Sequence, residues 1–402
     1  MRSYSFFSCF IFPSNYFVSS LASLLFPLLL FVNVNSFDPL IQFPTMKKTT
    51  GKSITLLYVN EFGAKGDGMT DDTKIFQDVW KMACSSPLRP KIIVPIGYSF
   101  LVRPIDFAGP CRSKVSLLIE GSIVAPKDPK VWDGLDARKW LYFLKVRHLT
   151  VQGGGTINGM GHKWWATSCK INTTNPCRHA PTALTFHRCN NLKVRDIRML
   201  NSQQMHISIS NSIHVELSHI IVQAPAQSPN TDGIHISSST HVAVKDCTIR
   251  TGDDCISIVS NSSSILVKNI ACGPGHGISI GSLGKSNSWS QVHNVCVDGA
   301  YLSNTENGVR IKTWQTLGIS IHSISFVGIR GTSATKDAVK LACSDSSPCR
   351  KLLLKDVQLD SYLGFPTTSF CWKAYGSTSG RNTPPSCFGI MQYLSNWSHH
   401  SI

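Results

Sequence analysis

The chain has 402 residues, enough for one large hydrophobic core or two smaller ones. Lys and Arg number 39 against 23 Asp and Glu, a formal charge of +16 with His neutral, which points to acidic partners: nucleic acid, anionic lipid or acidic polysaccharide. The cations are scattered, with no basic block of five or more and no zinc-finger, RNP or basic-helix signature, so nucleic acid is disfavoured and an acidic polysaccharide gains by elimination.

The N-terminus opens with Met1-Arg2 and two apolar stretches, Phe6 to Phe12 and Leu21 to Val34, separated by Pro13-Ser-Asn15. The second is shorter than the ~20 residues of a membrane span, so residues 1–36 read as a secretory signal peptide, with an uncleaved anchor as the competing reading. Its removal implies export to the extracellular space, without stable membrane association. Cys9 lies in this leader, and 13 cysteines follow it with no C-x-x-C pair. In an exported chain they favour disulfides over zinc sites, and the odd count leaves one unpaired thiol. Sequons at Asn172, Asn261 and Asn396 agree with secretion.

Residues 37–57, with Pro39, Pro44 and Lys47-Lys48-Thr-Thr-Gly-Lys52, read as a linker or pro-segment, and a single folded domain is expected over 58–402. Gly63-Ala-Lys-Gly-Asp-Gly68 lacks the Lys-Ser/Thr of a phosphate loop and reads as a turn. An Asp N-cap then starts a helix over Thr73 to Cys84, with Ile75, Val79 and Met82 at helical spacing.

From Leu149 onward an apolar, any, apolar pattern repeats: Leu149-Thr-Val151, Leu192-Lys-Val194, Ile213-His-Val215, Val242-Ala-Val244, Ile265-Leu-Val267, Val295-Cys-Val297, Ile324-Ser-Phe326 and Leu352-Leu-Leu354. The steps are 21 to 30 residues after a first gap of 43, which reads as two coils. Short β-branched strands broken by Asn, Gly and Ser, with almost no helical periodicity, predict an all-β parallel β-helix. An antiparallel sandwich has similar strands but no reason for polar motifs at a fixed period.

Such motifs are present: Asn230-Thr-Asp232, Gly252-Asp253-Asp254, Gly275-His276-Gly277 and Arg310-Ile-Lys312. Coils stack about 4.8 Å apart, so residues one period apart converge. Asp232 to Asp253 is 21 residues and Asp253 to His276 is 23, each one coil, while Arg310 and Lys312 follow after one coil plus an insertion around Lys285 to Trp289. Three crowded carboxylates raise one another's pKa, so one can stay protonated while another is ionised. That division of roles is what glycosidic cleavage requires. Taken singly, each motif is as well explained by a turn, a cap or a calcium ligand.

The series Asn230-Thr-Asp-Gly-Ile-His235, Gly252-Asp-Asp-Cys255, Gly273-Pro-Gly-His-Gly277 and Arg310-Ile-Lys312 resembles the plant-type polygalacturonases, glycoside hydrolase family 28. Phe62-Gly-Ala-Lys-Gly-Asp-Gly68, Gly153-Gly-Gly-Thr-Ile-Asn-Gly159 with Trp164-Trp165, Pro181-Thr-Ala-Leu184 and Gly331-Thr-Ser-Ala-Thr335 extend the likeness over roughly Val59 to Cys387. The resemblance implies a right-handed parallel β-helix, monomeric and without metal or other cofactor, that hydrolyses α-1,4-galacturonosyl bonds in pectin with inversion. It assigns Asp253 as general acid, Asp232 and Asp254 as the pair that positions and deprotonates water, and His276 as the group tuning the acid. Arg310 and Lys312 would hold substrate carboxylates, which argues against a sister activity such as rhamnogalacturonan hydrolysis. It also suggests the disulfide Cys255–Cys272, with Cys84–Cys111, Cys343–Cys349 and Cys371–Cys387 as further pairs.

The chain departs from the family after Arg310-Ile-Lys-Thr-Trp314-Gln, where on the order of 40 residues, about one and a half repeats, are expected before Gly331. Only Thr316 to Arg330 intervenes. The solenoid is therefore expected to be one to one and a half coils short, and Phe326 falls where the family has a Tyr lining the cleft. Losing that hydroxyl removes a hydrogen bond to substrate. The alternative reading is accordingly an impaired or inactive relative that at most binds pectin.

Overall fold

A computed structural model describes residues 55–285, 288–314, 319–333 and 335–388. The expected signal peptide and the sequon at Asn396 lie outside these residues, as does most of the expected linker. The remainder is an all-β solenoid in which every inter-strand pairing is parallel. A typical coil supplies three strands: Ile207–Ser210 to a ten-stranded sheet, then Ile213–Ser218 and Ile221–Gln223 to the other two faces.

The interior is a set of apolar columns. Val151, Val194, Leu217, Val244, Val267, Val297, Phe326 and Leu354 stack coil upon coil, each at most 2% exposed. A second column runs Ile207, Ile234, Ile256, Ile278, Val309, Val339. Burial of each such side chain contributes about 1.5–3 kcal/mol, and stacking like on like keeps the cross-section constant. Between strands the chain turns sharply at left-handed residues in register: Asp196, His219, Asp246, Asn269, Gly299, Gly328 and Asp356 all have φ between 52° and 71°. Asn, Asp and Gly tolerate that conformation best, which is why polar residues punctuate each repeat.

The helix Thr73–Ser85 caps the N-terminal end of the solenoid. Its buried face is Phe76, Val79, Trp80 and Ala83, with Trp80 edge-on to Phe107 and Phe143 and donating its indole N–H to Ala108 O. Met82, expected on that face, is 39% exposed. Asp72 makes no side-chain cap: it turns back to accept Lys65 N–H and Gly66 N–H, and Asp71 accepts the N–H of Thr73 instead.

Other sequence expectations are corrected as well. The fold starts before Tyr58, because Leu56–Tyr58 pairs with Lys91–Ile93 and Leu57 is buried. The gap of 43 residues is one coil, since Val151 pairs directly with Val194; the extra length is an excursion over 159–181 holding the short helix His162–Ala166 and the disulfide Cys169–Cys177. The partner of Leu192 is Val215 and that of Val194 is Leu217, so the repeat unit there is Val215-Glu-Leu217. Left-handed His214 breaks the alternation and leaves Ile213 41% exposed. Cys84–Cys111, Cys255–Cys272, Cys343–Cys349 and Cys371–Cys387 are bonded as expected, but Cys189 and Cys247 are both buried free thiols, where the odd count predicts one. They act as small core hydrophobes, and burial pushes each thiol up to about 11.

The shortened stretch is sealed. Val309–Thr313 pairs with Ile278–Leu283 on one side and Asp337–Ala342 on the other, so the ten-stranded sheet is continuous across it. Phe326, expected at the cleft, is 1% exposed, in the core between Val297 and Leu354.

Candidate active site

The site is built on one edge of the ten-stranded sheet, in loops entering three successive strands. Asp232 precedes Ile234–Ser237, Asp253 and Asp254 precede Ile256–Ile258, and His276 precedes Ile278–Leu283. The loops are laced by backbone bonds: Gly233 N–H to Asp254 O, His276 N–H to Asp253 O, and Glu306 N–H to Gly275 O. Glycine is required where they approach most closely. A Cβ on Gly252 would lie 2.1 Å from Ser228 O, and one on Gly277, at φ +86°, 2.0 Å from Asn307 O. Cys255–Cys272 ties the central loop to the adjacent face. The strands step by 22 residues here, so Asp254 falls in register with Asp232, and Asp253 is set to one side.

Asp253 Oδ1 accepts Asp254 N–H at 2.8 Å and lies 3.1 Å from His276 Nδ1, while its Oδ2 accepts from Asn230 Nδ2 at 3.3 Å. The other ring nitrogen of His276 is 3.1 Å from Glu306 Oε2. An imidazole between two carboxylates donates from both nitrogens only when charged, so this placement favours imidazolium. Asp232 is buried and accepts from Ser257 Oγ at 2.8 Å. Asp254, also buried, accepts from Ser279 Oγ and Arg310 Nη2, both at 2.6 Å, with Lys312 Nζ at 3.5 Å. Arg310 Nε donates to Ser279 Oγ at 3.1 Å. Arg310 and Lys312 thus grip Asp254 in the free protein, on strand Val309–Thr313, whose outer face carries both.

Electrostatics separates the carboxylates. Burial, then the charges of Asp253 and Asp254, raise the Asp232 carboxyl well above the usual range. Burial also acts to raise Asp253, but the hydrogen bond and charge of His276, with Asp254 N–H and Lys312, outweigh it and leave Asp253 lowered. His276 is raised by its hydrogen bond to Asp253, against burial, and by the charges of Asp253, Glu306 and Asp254. Two further histidines back the site in neutral form. His235, bonded to Ser257 Oγ, and His206, bonded to Asp232 O, are each pushed down to about 4 by burial.

Asp253, Asp254 and His276 bring donor atoms within 4.8 Å of one another, close enough for a metal ion. The donor chemistry does not suit one: Asp254 already meets two fixed cations, which would repel a third, and the imidazole is turned to donate to Asp253.

All six residues singled out in the sequence converge. Ser257, Ser279, Asn230 and Glu306, which complete their hydrogen bonding, had no role assigned. Ser257, Ser279 and Arg310 occupy one column of paired positions, and reading along that column would have found both serines.

The model for glycosyl hydrolases family 28 matches residues 84–318 and 315–380, and the break between the two segments falls at the shortened stretch. A probable polygalacturonase of Arabidopsis thaliana is 52% identical, covering 90% of each chain, and Polygalacturonase-2 of Solanum lycopersicum is 41% identical over 84% of this chain and 82% of its own. Among solved structures, endo-xylogalacturonan hydrolase from Aspergillus tubingensis superposes with a TM-score of 0.69 at 25% identity, covering 82% of this chain and 92% of that one. Polygalacturonase from Erwinia carotovora, at 19% identity and a TM-score of 0.59 over 85% of this chain and 98% of its own, shares the fold. Matched from Cys84, at the end of the N-terminal helix, to the last strands, this chain belongs to glycosyl hydrolases family 28.

Proposed function

We propose that this protein hydrolyses α-1,4-galacturonosyl bonds in pectin with inversion, as a secreted monomer remodelling the cell wall. The observation that carries this reading is the cluster itself: Asp253 paired with His276, Asp232 and Asp254 beside it, and Arg310 and Lys312 on the adjoining strand. The disulfides suit export, and among the described residues no helix is long and apolar enough to cross a membrane.

Asp253 protonates the leaving glycosidic oxygen, and Asp232 and Asp254 hold the attacking water. In the free site Asp232, not Asp253, favours the proton. A glycosidic oxygen placed against Asp253 is an acceptor, so it favours the protonated form there, and the shared proton passes from Asp232 to Asp253. Asp232 is then an ionised base. As the bond breaks, Asp253 gives its proton to the leaving oxygen and Asp232 takes one from water, which restores the starting state. His276, charged, stabilises the carboxylate that Asp253 becomes. Inversion needs the two carboxyls about 6.5–9.5 Å apart to admit water. Arg310 keeps spare guanidinium donors beyond those on Ser279 and Asp254, so it can hold Asp254 and a substrate carboxylate together.

One observation favours an impaired relative that at most binds pectin: Asp254, one of the two carboxylates assigned to the water, is already paired with both cations. Reducing-end release from polygalacturonate by the purified protein decides between them. Asp253→Asn is expected to lower the rate about 10²–10⁴-fold. Equal inertness of folded wild type and variant would refute hydrolysis.

A further inference from the structure

The ten-stranded sheet does not end at the cations. Its next strand, Asp337–Ala342, sets Lys340 beside Arg310 and Ala342 beside Lys312. The last, Thr368–Trp372, sets Phe370 beside Lys340 and Trp372 beside Ala342. Val309, Ile311, Val339 and Leu341 face the core, so Arg310, Lys312, Lys340, Phe370 and Trp372 share the outer face. Phe370 is 41% and Trp372 47% exposed, and Lys340 has no carboxylate partner among the described residues. On the edge that carries the catalytic loops, Lys336, Phe365, Pro366 and Thr368 line an open hollow of about 590 Å³. Thr335 joins this edge to the site through its hydroxyl on Glu306 O.

We propose that this face is a distal binding surface for the same uronate polymer, extending from Arg310 and Lys312 toward the C-terminal end of the solenoid. The inference rests on the proposed pectin hydrolysis. Lys340 takes a sugar carboxylate, and Phe370 and Trp372, side by side on the following strand, take the C–H face of the next ring. Two strands add about 10 Å of track, room for roughly two further sugar units. The occupant follows from continuity with the cation pair and from chemistry: a cation followed by exposed aromatics suits an anion carried on a partly apolar ring.

The test compares wild type, Lys340→Ala, the Phe370→Ala/Trp372→Ala double variant and a control, Lys193→Ala, on the opposite sheet system. The readout is kcat/KM for the galacturonate hexamer divided by that for the trimer. Both cleft variants are expected to lower this ratio about fivefold or more, and Lys193→Ala to leave it unchanged. A ratio within about twofold of wild type in both, or an equal loss in the control, overturns the proposal. A change in oligomeric state of the double variant with an unchanged ratio also overturns it, marking the face as a contact between copies. If wild type proves inert, hydrolysis itself has failed, and affinity electrophoresis through polygalacturonate still reads the surface. Retardation that is weakened by the cleft variants and absent with neutral galactan supports it; no retardation refutes it.

Discussion

His276 is held between two carboxylates, and Glu306 is the one that no sequence motif announced. Replacing it with Gln removes an anion that raises His276, so the imidazolium is lost at lower pH. Glu306→Gln is therefore expected to move the basic limb of the kcat/KM profile to lower pH, and an unmoved limb would mean that Glu306 does not act on His276. Asp232 makes the opposite kind of prediction. Its folded pKa lies above the ordinary 3.8, so the unfolded chain ionises first and folding stability is lost as pH rises above that value. Asp232→Asn keeps the shape and an acceptor for Ser257 without the buried charge. It is expected to melt about 1–3 °C higher than wild type at pH 7, with the difference vanishing toward pH 3, while activity is lost. Calorimetry at the two pH values checks this. Asp232, Asp253, Asp254, His276, Arg310 and Lys312 were legible because they sit in short fixed motifs. Ser257, Ser279 and Glu306 were not, because each is an ordinary residue whose partner lies 25 to 30 positions away, across a coil of variable length.

At the scale of the element, the catalytic loops owe their position to how tightly neighbouring coils close on them. Gly277 sits with its α-carbon against Asn307 O, in a left-handed conformation. Gly277→Ala combines that clash with backbone strain and is expected to cost about 2 kcal/mol or more, read as a lowered melting temperature and a loss of activity exceeding the loss of folded protein. Unchanged stability would show that the loops have slack. The elements themselves were only partly legible. Seven of the eight apolar repeats name the residues that stack, because inward positions alternate with period two. The eighth, Ile213-His-Val215, slipped by two where a left-handed residue resets the alternation. The 43-residue coil reads as two in the sequence because an excursion on one edge lengthens the step and leaves the ladder untouched. Phe326 aligns with a cleft Tyr only across the stretch that is short in this chain; its own neighbours, Val297 and Leu354, place it in the core.

For the whole molecule, the formal charge of +16 has direct consequences for rate. An anionic polymer approaching a cationic solenoid is drawn by long-range attraction, and in the proposed function the site continues it at contact through Arg310 and Lys312, the cations beside Asp254. Composition predicted the sign of that field but not its placement, since the two site cations are a small share of 39. Salt separates the contributions. Screening lengths shrink from about 20 Å at 20 mM to about 7 Å at 200 mM, so steering by distant lysines disappears while the half-buried contacts to Asp254 and substrate are screened less. The expected outcome is that kcat/KM on polygalacturonate falls about tenfold across that range, mostly through KM, with kcat changing less than about twofold. The trimer, which carries few charges and reaches little beyond the site, should lose much less. A fall in kcat equal to that in KM would instead mean that salt disrupts the Arg310–Asp254–Lys312 arrangement itself, and no fall at all would show that the net charge has no part in substrate capture.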